Sequence, residues 1–335
     1  MLGALLAAVL LQANWRVDFT GKPAFGCCTR VFALEDRLIF LDSPPPTVSD
    51  GGDIYVWRDK APAAQKVFSV QDQGIRMIRK FGKSIIVPGI DAMENWDWGN
   101  WYLSQDQGQT WTKYRNLPKA VHVFDFAQWR GRLYAGVSDT SGAVLSSTDG
   151  SIWKKEFGAA GKDSFGEVLS VVPLPDALYA FWVEQWGAGA PEANKAVDCY
   201  RFDGATWKPL KLLPGINAVW NTRVVGSSAF ILLPGRSYLL HDGKAEPVLP
   251  VDGLVPVDVI ERDKELLWLA AGSHNDWAIF RTPYGEKVGE RTKLVDLPPG
   301  LSGNSLTVHG DRLYVACNGA PSGQLISIPL VELKR

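Results

Sequence analysis

Tryptophan, carboxylate and amide side chains gather in three segments of this chain, a combination suited to sugar recognition. The segments are Asp91-Ala92-Met93-Glu94-Asn95-Trp96-Asp97-Trp98-Gly99-Asn100-Trp101, Glu184-Gln185-Trp186 with the residues up to Glu192, and Ser273-His274-Asn275-Asp276-Trp277. A flat indole suits a pyranose face, and polar groups beside it suit the hydroxyls. The competing reading has Trp96, Trp98 and Trp186 sealing their own loops, while Trp101 and Trp277, at strand starts, read as core. A second set, Arg30, Arg76, His122, Glu167, Asn221 and Asn304, stands at the starts of apolar strands. Together with Asp125 it makes a cup in which the arginines hold an anion or carboxylate by bidentate contacts and the others supply hydrogen bonds. The bland alternative is a polar ring that lines water.

Hydrolysis of a glycosidic bond needs two carboxyl groups at one cleft, roughly 5 to 10 Å apart. Asp91, Glu94 and Asp97 on one loop, and Glu167 and Glu184 further on, are the candidates. Acidic loop residues are more often simply solvated, so a binding protein without a catalytic centre is the first expectation and a glycoside hydrolase the alternative. No G-x-S-x-G elbow, glycine-rich phosphate loop or metal-spaced His or Cys cluster occurs, so no cofactor and no metal are expected. With 35 basic against 36 acidic side chains there is no charge excess to neutralise phosphates, and nucleic acid is not an expected partner. A glycan, another small polar ligand or a protein is.

Residues 1–13, MLGALLAAVLLQA, are too short to span a bilayer as a helix and read as a signal peptide. A secreted or periplasmic protein with no membrane span after processing follows. The four cysteines, Cys27, Cys28, Cys199 and Cys317, are few for a disulfide framework. A bridge from Cys28 or Cys27 to Cys317 is one expectation, against free buried thiols or a Cys27-Cys28 pair.

The elements that must position these groups are strands. A short apolar motif recurs seven times, as in Arg37-Leu38-Ile39-Phe40, Arg132-Leu133-Tyr134-Ala135 and Arg312-Leu313-Tyr314-Val315, with gaps of 47, 48, 45, 52, 37 and 46 residues from Leu38 to Leu313. That spacing, with strands on either side of each motif, predicts an all-β, seven-bladed β-propeller of four-stranded antiparallel blades spanning residues 14–335 as one domain. Each repeat reads as strands A to D, with tight A-B turns and B-C loops of variable length. The last repeat has little chain left for a D strand, so an N-terminal strand over 14–19 is expected to close the ring and cover its edge. A D strand over 331–335 is the competing possibility. In such a meander the A-B and C-D turns share one face, and the tryptophan-bearing B-C loops share the other with the D-A crossings.

The C-D turns carry a resemblance. Ser104-Gln105-Asp106-Gln107-Gly108-Gln109-Thr110-Trp111 matches the S-x-D-x-G-x-T-W signature, Ser147, Asp149, Gly150 and Trp153 make a shorter form, and Asp203, Gly204 and Trp207 a degraded one. The chain resembles the Asp-box (bacterial neuraminidase repeat) propellers, a group that includes sialidases and sortilin-type receptor domains. The resemblance implies a structural role for these residues: carboxylate capping turn amides, glycine at positive φ, and indole packed on the sheet. It does not bring the sialidase site with it, because no Arg-Ile-Pro element occurs and only Arg30, Arg76 and Arg223 stand where the substrate-binding arginines would. The resemblance therefore implies a fold more than an activity.

Overall fold

A computed structural model describes residues 14–23, 25–44, 51–92, 94–139, 142–158, 165–185, 198–210, 212, 219, 221–233, 236–248, 255–272, 276–285 and 288–334. Among these, the regular elements are antiparallel strands and one 3-10 turn, Leu330–Lys334. The strands follow one another as meanders, each strand bonded to the next. The first repeat runs Cys27–Ala33, Arg37–Ser43, Gly52–Arg58 and Gln65–Val70. The second is Arg79–Phe81, Ser84–Pro88, Trp98–Ser104 and Thr112–Pro118. The third is His122–Trp129, Arg132–Asp139, Ala143–Ser147 and Lys154–Gly158, and the fourth Phe165–Pro173, Leu178–Gln185, Asp198–Phe202 and Trp207–Leu210. The fifth is Asn221–Val225, Ser228–Leu233, Arg236–His241 and Lys244–Pro247, and the sixth Val255–Arg262, Glu265–Ala271, Trp277–Pro283 and Thr292–Asp296. Ser302–His309, Arg312–Asn318 and Gln324–Pro329 come last, and their outer edge pairs with Arg16–Thr20 from the other end of the chain. Val331 lies in the 3-10 turn, not in a strand.

Why these strands stack is visible in the second strand of the first repeat, which is apolar on both faces. Successive side chains point to opposite sides. Leu38 and Phe40 pack with Tyr314, Ala316 and Leu325 of the last repeat, whereas Ile39 and Leu41 pack with Ile85, Val87 and Tyr102 of the second. Equivalent clusters join every consecutive pair of repeats, and the one just described joins the last to the first. A single repeat has two apolar faces and no way to bury both alone.

The hairpins carrying the expected turn motifs fold onto the repeat before them. Asp106 Oδ1 accepts from the backbone N–H groups of Gln109 (3.0 Å) and Thr110 (2.9 Å), and the Trp111 indole donates to Gly108 O at 3.0 Å. Partial desolvation works against this carboxylate, but the bonds from Thr110, Ser104 and Gln109 prevail and hold its pKa down at about 2. Gly108, at φ 86°, is required twice over: a Cβ there would lie 2.5 Å from Ile39 Cδ1 of the first repeat. In the third repeat Ser151 N bonds Asp149 at 2.8 Å, and the Trp153 indole bonds Gly150 O at 3.1 Å. In the fourth, Asp203 Oδ1 accepts from Ala205 and Thr206, both at 2.9 Å.

The second repeat departs from the expected pattern. Its inner strand is cut to Arg79–Phe81, and Asp72–Gly74 pairs instead with Ile90–Ala92. The buried Asp72 carboxylate, which accepts from Asn100 Nδ2 at 2.6 Å and the Tyr102 hydroxyl at 2.7 Å, pins that segment beside the third strand.

At the seam between the chain ends the structure takes the free-thiol alternative and not the bridge. All four cysteines are free thiols. Cys28 packs in the cluster between the last and first repeats, Cys317 in the one between the sixth and last, so these two thiols belong to different interfaces. Lys22 fastens the seam instead. Its backbone N–H donates to Asp42 Oδ2 at 3.1 Å and its ammonium pairs with Asp53 Oδ2 at 2.6 Å, both carboxylates being buried. Asp42 and Asp53 are register partners, so two acidic groups share one lysine.

Burial is the main force pushing the Asp42 carboxyl up to about 7, with the Lys22 N–H opposing and Asp53 adding to it. The folded protein therefore holds a proton that the unfolded chain releases near pH 4, and that share of stability is lost as pH rises through about 7. We predict that the unfolding free energy, measured by denaturant titration, declines between about pH 4 and 7. Asp42→Asn is expected to flatten that decline, and an equal slope in both proteins would refute the assignment.

Candidate functional site

The site is built from one repeated backbone feature. Eight positions before Leu38, Leu133, Leu178, Ala229, Leu266 and Leu313 stand Arg30, Asp125, Ser170, Asn221, Asp258 and Ser305. In all but the Asn221 strand a register shift falls just ahead of this residue, at Cys28/Arg30, Val123/Asp125, Val168/Ser170, Pro256/Asp258 and Gly303/Ser305. A bulge re-aims the side chain that follows it. These side chains meet across the molecule: Arg30 Nη2 of the first repeat donates to Asn221 Oδ1 of the fifth at 3.3 Å, and Ser170 of the fourth bonds Asp125 of the third at 2.9 Å.

Two carboxylates organise this axis in the same way. Asp125 takes Arg79 Nε at 2.7 Å and Nη2 at 2.8 Å, and also accepts from Phe126 N, Ser170 Oγ and Val171 N. Asp258 takes Arg223 Nε and Nη2, both at 2.6 Å, and accepts from Asn221 Nδ2, Val259 N and Leu306 N. Arg79 and Arg223 each come from the repeat before the carboxylate they bind. Burial alone would push Asp258 up, but the Arg223 and Arg30 charges and the Leu306 N–H hold it below the usual carboxylate range. For Arg30 burial wins: desolvation and the repulsion of Arg223 pull its guanidinium down to about 9 against the attraction of Asp258. It remains protonated at neutral pH.

At the end of the axis where the inner strands begin lies a cavity of about 320 Å³. It is lined by Arg30, Arg76, Asn221, Trp277, Asn304 and Asn318, with Cys27, Thr29, Pro44, Val257 and Gly303. Arg30 is buried and Arg76 exposed. Asn304 Nδ2 donates to Cys28 O at 2.9 Å, and Asn318 Nδ2 donates to Asn304 Oδ1 at 3.2 Å. Trp277, expected in the core, is half-buried: it packs against the cluster between the sixth and last repeats and also forms part of the wall.

Of the residues singled out in the sequence, Arg30, Arg76, Asn221 and Asn304 come together here. Asp125 does not face the cavity, because its five donors commit both oxygens to the axis. His122 and Glu167, three positions earlier on their strands than the axial residues, pair with each other at 3.4 Å and stand apart from the lining. Trp96 and Trp98 are 66% and 43% exposed and do not line the cavity either. Their loop is drawn outward over strand Thr112–Pro118 by Glu94, which pairs with Lys113 and Arg115 at 2.6 Å each, and by Asp97, which pairs with Lys119 at 2.6 Å. Those lysines hold both carboxyls below their ordinary range. Trp98 opens the strand that ends at Ser104, so it lies at the far end of that strand from the Asp106 turn. Of Asp91 and Glu184 the backbone is described, in strands Ile90–Ala92 and Leu178–Gln185. Trp186, His274 and residues 1–13 lie outside the described residues.

Sequence reasoning missed Arg79, Ser170, Asp258 and Asn318, and gave Arg223 little weight. The signal was there: in every repeat but the second, a polar residue stands eight or nine positions before the apolar motif. Among the described residues, no group of three or more His, Cys, Asp or Glu is placed to hold a metal, and no helix is long and apolar enough to cross a membrane.

Solved structures similar to this chain are β-propellers. YCF48, in a structure bound to D1 peptide, matches with a TM-score of 0.59 and 13% identity over 94% of this chain and 96% of that one. The β-propeller domain of the Trilobed protease from Pyrococcus furiosus matches with a TM-score of 0.52 and 11% identity over 78% of each chain. The extracellular domain of a putative hybrid two-component system from B. thetaiotaomicron matches with a TM-score of 0.59 and 10% identity over 92% of this chain and 42% of that one. No family model and no curated protein matches the sequence. The chain is an all-β protein of the β-propeller fold, and identities this low speak to the fold alone.

The axial pairs generate a stability prediction. Asp258→Ala removes the bidentate partner of the half-buried Arg223 and the ion-pair partner of the buried Arg30, which is expected to cost about 3 to 5 kcal/mol. Denaturant titration checks this, and a loss under about 1 kcal/mol, the value of an exposed pair, would show that the axis is wet and screened.

Proposed function

We propose that this chain is an exported, seven-bladed, Asp-box type propeller that binds a small polar ligand, a glycan first among them, in the axial cavity and carries out no catalysis. The observation that carries the reading is the cavity itself, where two arginines, three asparagines and the half-buried Trp277 converge on about 320 Å³. That volume is at the lower end of small-molecule sites, and the mixture of one aromatic wall with a few polar groups is how such sites fix orientation. The ring of inter-repeat clusters, closed by Arg16–Thr20, supports seven blades around one axis. The capped hairpins of Asp106, Asp149 and Asp203 support the Asp-box kinship. The apolar run at 1–13 supports export to a secreted or periplasmic location.

A non-catalytic role is favoured by where the raised carboxyls sit. Among the described residues, burial raises Asp42 and Asp72, and neither lines the cavity. A general acid must reach its substrate. Glu94 and Asp97, the loop carboxylates, are tied up in ion pairs on the outside of the second repeat. A protein partner is the second reading, because YCF48, a propeller of nearly the same span, is bound to a peptide.

A glycan array run beside a panel of fluorogenic glycosides tests this reading. Glycan binding that is lost in Trp277→Ala, with no turnover of any glycoside, is the expected result. Turnover of a glycoside would replace the binding protein with a hydrolase, and retention on glycans that ignores Trp277→Ala would move the site off the axis.

A further inference from the structure

The loop ahead of the third strand of the second repeat turns its polar groups inward on its own neighbours. Glu94 pairs with Lys113 and Arg115, and Asp97 with Lys119, each contact being 2.6 Å long. Asn95 O and Asn95 Oδ1 both accept from Arg115 Nη2, at 2.7 and 2.6 Å, and Lys119 N donates to Asp97 O at 2.7 Å. A bulge at Gly99/Asn100 then re-aims the start of the strand, and Gly99 lies so close to the next segment that a Cβ there would be 2.4 Å from Ala120 O. The loop is tied down along its length.

What it presents to water is indole. Trp96 is 66% exposed and Trp98 43%, whereas the other described tryptophans are buried or half-buried. Trp101, three positions after Trp98, is fully buried and stacks on Tyr114 at 4.5 Å. One short strand therefore hides one indole in the core while its leading loop holds two outside. Large apolar groups grouped on a surface forgo the gain of burial, and they mark a place where something else covers them.

A protein face and a sugar chain both stack on indole, and the neighbouring ion pairs decide between them. The side chains of Asp97 and Lys119 are 58% and 74% exposed. A protein broad enough to cover both indoles would strip water from that pair and from Glu94, a desolvation that their attraction does not repay. A glycan is narrow and carries hydroxyls, so it leaves them wet. Both carboxylates of the loop are already matched by cations, which leaves no charge to select an acidic or basic polymer.

We infer that Trp96 and Trp98 form a stacking platform for a neutral polysaccharide chain, on the outside of the second repeat and separate from the axial cavity. Pyranose faces lie on the indoles, and the ion pairs hold the loop ready so that little ordering is left to pay on binding. The platform does not depend on what the axial cavity takes.

Electrophoresis of the full chain in native gels containing hydroxyethylcellulose or xylan, beside a gel without polymer, tests the inference. Retardation by a polymer is expected, about ten-fold weaker in Trp96→Ala and in Trp98→Ala and unchanged in Trp277→Ala. Trp96→Ala is expected to keep the parent melting temperature, because its side chain is mostly in water. No retardation by either polymer, or retardation that both loop variants retain, overturns the platform; so does retardation lost only in Trp277→Ala, which would put the polymer on the axis. A dimer in sedimentation that Trp96→Ala disperses, without retardation, would overturn it by giving the surface to a second copy of this chain. The axial reading stands or falls separately, on array binding lost in Trp277→Ala.

Discussion

A buried ion-pair arrangement at the centre of the wheel is what the rest of this structure depends on. Asp125 and Asp258 each bind an arginine from the repeat before and a backbone N–H from the repeat after, Val171 and Leu306 respectively. One carboxylate therefore ties three consecutive repeats together. Burying such groups is costly unless every lone pair is met, and here five donors meet each carboxylate.

Around that centre, the apolar strands do the bulk of the stabilising. Second strands that are apolar on both faces make each repeat dependent on two neighbours, which is the logic of stacked repeats. The hairpin staples extend this outward, since Gly108 and Trp111 press on the first repeat and Trp153 on Trp101 of the second at 6.1 Å. With the outer faces and the seam secured by packing and by Lys22, the mouth of the axis is left to bear the unusual residues.

Much of the fold was legible because it rests on local patterns. The recurring apolar motif placed the second strands, and strands such as Gln65–Val70, Ala143–Ser147 and Arg236–His241 fall where the alternation put them. The N-terminal strand was legible from the missing fourth strand at the other end. The shortened inner strand of the second repeat was not, because it depends on a tertiary contact of Asp72 with Asn100 and Tyr102. The site was half legible. Arg30, Arg76, Asn221 and Asn304 were read from strand starts, yet His122 and Glu167 were grouped with them although they stand three residues out of step. The bulge that aligns Arg30 with Asp125 and Asp258 has no composition of its own, so the axial partnership of Asp258 and Arg223 emerged only from the pairing. Trp96 and Trp98 misled for a different reason: ion pairs to Lys113, Arg115 and Lys119, on the next strand and just beyond it, pull their loop away from the axis.

The most direct measurement is a crystal structure of the protein. The account predicts Arg79 and Arg223 each bidentate on Asp125 and Asp258, with Ser170, Asn221 and the backbone N–H groups of Val171 and Leu306 completing the two carboxylates. Arginines turned out to solvent, with water on the Asp125 and Asp258 oxygens in their place, would contradict it.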